Sequence, residues 1–255
     1  MPASNTSTGD EAAVAPRIPW AQHRAWLDHH WEAGMHVSGV VQTGGGKSYL
    51  TRYGLLPLWT DYRTLYFDVK GDDPTLAGLG RPVREFPDEE RGSGPQDDES
   101  RIYRLLVPEW EFDASRRSTG GLERARRVAG GALDRAYKQG DWLLVLDETR
   151  AFTDTANEFG LGLRGVVENI WQRGRSRRVT LIALTQQPVW MPSSFYSQCT
   201  LMYVGAEVDL SNEHMRDIGG DRDALRRAVS ELREHEFVAI YRRPPRQMWI
   251  TKVAA

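Results

Sequence analysis

Val41-Gln42-Thr43-Gly44-Gly45-Gly46-Lys47-Ser48 is the stretch on which the reading of this chain turns. An apolar run at residues 35–41 (MHVSGVV) leads into it, and a segment of mixed polarity at 47–56 follows. Strand, glycine-rich loop and helix make the context that a phosphate-binding loop, or P-loop, needs. Glycines let successive backbone N–H groups curl around a phosphate without side-chain clash, and the helix N-terminus adds a partial positive charge. Lys47 is then expected to reach the β- and γ-phosphates of a nucleoside triphosphate such as ATP, and the Ser48 hydroxyl to ligate Mg²⁺. Thr43, Gly44, Gly45, Gly46 and Tyr49 complete the expected nucleotide-binding set. The usual pattern has glycine where this chain has Val41, and Gly39 stands too early to replace it in register. The plain alternative is a glycine-rich turn that happens to precede a lysine.

Other short apolar runs read as strands at 64–69 (TLYFDV), 142–146 (WLLVL), 179–184 (VTLIAL) and 200–204 (TLMYV). Helical stretches are expected at 47–56, 121–139, 163–172 and 222–234. Continuous apolar strands alternating with helices predict an α/β fold with a mainly parallel sheet buried on both faces. Residues 236–253 predict a C-terminal β-hairpin around Arg242-Arg243-Pro244-Pro245-Arg246. Residues 81–100, rich in Pro, Gly, Asp and Glu, predict an exposed loop insert, and residues 1–17 a disordered lead. A single domain at 18–255 is the expected division.

The run WLLVL ends in Asp147-Glu148. In open parallel sheets that end of a strand is where ligands bind. Asp147 is expected to hold Mg²⁺ through water, and Glu148 to activate the attacking water as general base. The bland alternative is a strand that closes in a solvated acidic turn. The chain has no guanine-reading Asn-Lys-x-Asp, which argues against a switch GTPase.

Composition narrows the classes. The chain has 255 residues, a formal net charge of −2 and one cysteine, Cys199, so neither an intrachain disulfide nor a cysteine-built zinc site is expected. No apolar run reaches the roughly eighteen residues of a membrane span, and a cytoplasmic setting is the expectation. A near-neutral chain that handles DNA must do so through local patches. The candidates are Arg116-Arg117, Arg124-Ala125-Arg126-Arg127, residues 173–178 and 242–246, each of which reads equally as a solvated face.

One further strand end is informative. Residues 179–184 run into Thr185-Gln186-Gln187-Pro188, preceded by Arg173-Gly174-Arg175-Ser176-Arg177-Arg178. With Thr43 to Ser48, Asp68-Val69-Lys70-Gly71 and Asp147-Glu148 ahead of them in that order, these motifs resemble the FtsK–HerA superfamily of ring-forming, DNA-pumping ATPases. The resemblance covers about residues 34–204. It implies a RecA-like (ASCE) P-loop NTPase fold, with Gln186 as γ-phosphate sensor and Arg175 as an arginine finger reaching into a neighbouring subunit. Gln186 also reads as an ordinary strand-end amide, Arg175 as a solvated turn or a DNA contact, and Asp68 with Lys70 as a plain turn.

Within that family the compact layout looks most like viral DNA-packaging ATPases. The resemblance thereby implies double-stranded DNA translocation by a homo-oligomeric ring, with a capsid portal or vertex protein as partner, in the host cytoplasm or at the virion vertex. A P-loop phosphotransferase acting on a small molecule, with residues 173–178 as a phosphate-gripping lid, is the competing expectation.

Overall fold

The computed structural model describes residues 15–71, 73–87, 101–108, 119–154, 160–210 and 221–253. Ten strands form one sheet: β1 (Arg17–Pro19), β2 (Val37–Val40), β3 (Arg63–Asp68), β4 (Arg81–Val83), β5 (Ile102–Leu106), β6 (Trp142–Leu146), β7 (Thr180–Thr185), β8 (Leu201–Val204), β9 (Glu236–Tyr241) and β10 (Gln247–Lys252). Their order across the sheet is β1-β10-β9-β8-β2-β7-β6-β3-β5-β4. Among the described strands β9 alone runs against the others, because it joins β10 in a hairpin and pairs antiparallel with β8. The strand that feeds the glycine loop, β2, lies at the centre between β8 and β7. β7 in turn separates β2 from β6, the strand that ends at Asp147.

Alternation along these strands builds a core on each face of the sheet. Trp142, Leu144, Leu146, Leu181 and Ala183 enter one core, whereas Leu143, Val145, Ile182, Leu184 and Val41 enter the other. The first face is covered by α3 (Thr119–Gln139), α5 (Arg164–Arg173) and α7 (Arg222–Ser230). On α3 the buried residues Ala125, Ala129, Ala132, Leu133 and Ala136 recur at helical spacing, and their small size lets the helix lie close to the sheet. The second face is covered by α1 (Trp20–His30) and by the helical stretch after the glycine loop. That stretch opens as α2 (Lys47–Tyr49), widens into π turns at Leu50–Leu55 and tightens to a 3₁₀ turn at Leu56–Leu58. Two short helices complete the description: α4 (Thr149–Thr153), directly after Glu148, and α6 (Ser193–Gln198).

Besides the unexpected strand β5, four details depart from the sequence reading. The expected insert at 81–100 begins as β4, which pairs in parallel with β5, and Phe86 after it is buried against Trp142. Pro82 is tolerated there because an edge strand can spare an N–H. The rest of the insert, 88–100, lies outside the described residues, as do residues 1–14 and Arg116-Arg117. The expected lead meets the fold at its end: Ala15 is buried and Arg17 pairs with Ile250. Helix α1 was not expected, since a histidine, His23, occupies one of its core positions between Trp20 and Leu27. Helix α7 is capped by Asp221, which accepts from the N–H groups of Asp223 and Ala224, but it stops at Ser230 rather than 234. There the Glu236 carboxylate takes the Arg233 N–H at 2.9 Å and draws the chain towards β9.

Candidate functional site

The loop after β2 is built from its foot upward. Val41 continues the strand, donating its N–H to the Thr185 carbonyl at 2.9 Å, and its side chain is fully buried. It acts as a core residue beneath the loop, which explains how valine replaces the usual glycine. The turn itself is made at Gly44 (φ 79°) and Gly46 (φ 89°), left-handed conformations that favour glycine. Leu50 then donates to the Gly46 carbonyl at 2.7 Å, and the helical stretch begins.

Across the ends of β2, β7, β6 and β3 the polar side chains form one continuous line. The Thr43 hydroxyl donates to Gln186 Oε1 at 2.7 Å, and Gln186 Nε2 donates to Glu148 Oε2 at 2.9 Å. The Lys47 ammonium lies 3.8 Å from that same Glu148 oxygen and 3.1 Å from Asp147 Oδ1, and it donates to the Asp147 carbonyl. The Ser48 hydroxyl sits between two carboxylates, 3.3 Å from Asp147 Oδ2 and 2.9 Å from Asp73 Oδ2. Asp73 is held in place by accepting from the Thr75 N–H at 2.8 Å. It follows the turn closed by Asp68, whose Oδ1 accepts from the N–H groups of Lys70 and Gly71.

Burial tunes these groups. Removal from water pushes the Glu148 carboxyl above the ordinary glutamate value, as does Asp147, while Lys47 and Gln186 pull it back. Burial alone would raise Asp73, but hydrogen bonds from Ser48 and Thr75, together with Lys70, leave it below the usual carboxylate range. Tyr66, beneath the site, is fully buried beside Asp147, and burial drives its phenol well above its ordinary value. Tyr66, Asp68, Lys70, Asp73, Asp147 and Glu148 line a cavity of about 10 Å³, room for roughly one water.

The donors fit a magnesium ion. Asp147 Oδ1 and Glu148 Oε1 are buried with no hydrogen-bond partner among the described residues, although Oδ1 is within ion-pair distance of Lys47. Mg²⁺ prefers oxygen ligands and is commonly held by one or two carboxylates together with substrate phosphates.

No family model and no curated protein matches the sequence. Solved structures do match the fold. The genome packaging NTPase B204 from Sulfolobus turreted icosahedral virus 2, in complex with sulfate, superposes with a TM-score of 0.57 at 13% identity, covering 88% of this chain and 99% of that one. The same protein in complex with ATP-γS gives 0.53 at 14% identity, over 86% and 98% of the two chains. The chain carries the RecA-like P-loop NTPase fold. A third similar structure, the pCW3 conjugation coupling protein TcpA with ATPγS, gives a TM-score of 0.51 at 12% identity, and there the match spans 89% of this chain and 62% of TcpA. At 12–14% identity these likenesses show the fold alone, and it is the fold expected from the sequence.

In this P-loop fold Thr43, Lys47, Ser48, Asp147, Glu148 and Gln186 come together as the sequence led one to expect. Arg175 does not join them. It precedes β7 while Gln186 follows it, so about 20 Å of strand separates the two at about 3.3 Å per residue. Its side chain is exposed and pairs with Glu32 at 3.6 Å. Asp73 was missed; an acidic residue just after the Asp-x-Lys-Gly turn is the signal that could have found it. His235, which packs against Gly46, was missed too, and nothing local in the sequence marks it.

Proposed function

We propose that this chain is an ATPase that translocates double-stranded DNA, working as a homo-oligomeric ring in genome packaging or DNA transfer. The observation that carries the reading is the line Lys47, Asp147, Glu148 and Gln186 across adjacent strand ends. Glu148 accepts the proton of the attacking water, and Gln186, bonded to both Glu148 and Thr43, orients that water against the γ-phosphate. Lys47 moves from the carboxylates to the phosphates, where it offsets negative charge. Ser48 and Asp147 would hold Mg²⁺, with Asp73 steadying the Ser48 hydroxyl. Magnesium, when bound, would supply charge neutralisation to the phosphates.

The DNA and packaging parts of the proposal draw support from the likeness to the viral NTPase B204 over nearly that whole chain. A capsid portal or vertex protein is the proposed recruiting partner and the host cytoplasm the proposed setting. No helix among the described residues is long and apolar enough to cross a membrane. Arg175, out of reach of its own site and exposed, is proposed to act in the site of a neighbouring subunit. Arg124, Arg126 and Arg127 are exposed along α3, and residues 173–178 and 242–246 carry further arginines. Repeated around a ring, such patches could line a basic channel despite a near-neutral chain. The phosphotransferase reading has no such support: the arginines it needs as a lid lie at the opposite end of β7 from the loop. The test is the ATPase rate with and without double-stranded DNA, measured beside the mass of the assembled species. DNA-stimulated turnover by a multimer supports the proposal, and DNA-indifferent turnover by a monomer overturns it.

A further inference from the structure

The glycine loop has two flanks. Glu148 and Gln186 occupy the β6–β7 flank, and β8 and β9 form the other. A triphosphate lying along the loop with its γ end against Glu148 would leave it near Tyr49, and its ribose and base would then face the β8–β9 flank. There, just ahead of β9, the chain places His235. Its ring stacks on Tyr49 with centroids 5.3 Å apart and planes 19° from parallel, and Tyr49 packs in turn on Tyr53 at 4.8 Å. Resting on the nucleotide reading above, we propose that Tyr49 and His235 form a stacking platform for the purine base of the bound nucleotide.

Three observations carry this. His235 adopts a left-handed backbone (φ 61°), uncommon for a residue other than glycine, and its ring lies against the loop. Its side chain remains 36% exposed, which leaves ring surface open to a ligand. Its Nδ1, by contrast, is buried without a hydrogen-bond partner among the described residues and faces Gly46, where an added Cβ would lie 3.0 Å away. The buried His23 differs, with both ring nitrogens partnered: Nδ1 accepts from Trp249 and Nε2 lies 2.7 Å from the Tyr203 hydroxyl. A half-open aromatic ring next to a phosphate cradle suits a ligand that carries a flat π-face beyond its phosphates. The platform reads the face of the base and not its edges.

The experiment compares Mg-ATPγS with Mg-tripolyphosphate, which lacks ribose and base, by calorimetric titration of wild type, His235→Gly and Tyr49→Leu. Glycine suits the left-handed backbone at 235, so this variant removes the ring without straining the chain, and a thermal melt confirms folding. Wild type should bind ATPγS at least about tenfold more tightly than tripolyphosphate, and each variant should lose most of that difference while keeping its tripolyphosphate affinity. Unchanged ATPγS affinity in His235→Gly overturns the platform while leaving the phosphate site standing. Equal weakening for both ligands also overturns it, by showing a role towards phosphate or fold. Equal affinity of wild type for the two ligands does the same, and failure of wild type to bind either removes the nucleotide reading as well.

Discussion

Acidifying the protein from pH 7 to pH 5 should cost it about 4 kcal/mol of stability, through two buried histidines. His36 accepts the Leu181 N–H on Nδ1 at 3.0 Å and stacks on Trp171. His23 accepts the Trp249 indole N–H on Nδ1 at 2.9 Å, which leaves its Nε2 proton to donate to the Tyr203 hydroxyl at 2.7 Å. Each Nδ1 already faces a donor, so a second proton there has no acceptor. Burial accordingly lowers His36 to about 4 and His23 to about 3, against 6.5 for the free side chain. The folded pKa values lie below the unfolded one, so the unfolded chain binds more protons between them. Stability is therefore full above pH 6.5 and declines as pH falls towards 4 and 3. At pH 5 each histidine has lost about 2 kcal/mol relative to pH 7, a large share of a typical 5–15 kcal/mol. Urea unfolding at pH 5, 6, 7 and 8 measures the slope. In His36→Asn the amide oxygen can take the Leu181 N–H without titrating, so the loss between pH 7 and 5 should fall by about half. A flat wild-type profile, or an unaltered slope in the variant, refutes the reasoning.

Three further outcomes concern the site. Glu148→Gln keeps the size of the side chain and should still bind Mg-ATP, with turnover reduced about 10²- to 10⁴-fold in a steady-state assay; wild-type turnover would remove the base assignment. Because burial raises Glu148, its proton-accepting form is lost at a higher pH than for an ordinary glutamate as the solution is acidified. Gln186→Ala deletes a hydrogen bond that favours the ionised form, so the acid limb of the rate profile should move to still higher pH, and an unmoved limb would count against that contact. Val41→Gly should lower stability by about 3 kcal/mol in denaturant titration, through a lost core side chain and added backbone freedom. Its nucleotide affinity should stay as it was, whereas tighter binding would mean that Val41 restrains the loop.

The sheet was largely legible because β2, β3, β6, β7 and β8 are continuous apolar runs, buried on both faces, whose ends coincide with turn or charged residues. The edge was not. In β5 Arg104 interrupts the run in order to donate to the Leu76 carbonyl at 2.8 Å, and the half-exposed alternation hides the strand. Helix α1 was obscured by the same device, a polar residue satisfied inside the core, since His23 is paired by Tyr203 and Trp249 from distant strands. The heart of the site could be read because each group follows a strand closely: Lys47 after β2 and its glycine loop, Asp147 and Glu148 after β6, Gln186 after β7. Asp73 and His235 reach the loop through turns and tertiary packing, which local spacing does not encode.

The proposed chemistry requires a triphosphate and Mg²⁺ to meet at Lys47, Ser48 and Asp147. Titration of ATPγS into the purified chain with Mg²⁺, and again with the metal chelated, tests this most directly, with Asp147→Asn beside wild type. One nucleotide per chain is predicted, weakened at least about tenfold by chelation or by the substitution. No binding at millimolar nucleotide, or binding indifferent to both the metal and Asp147, would contradict it.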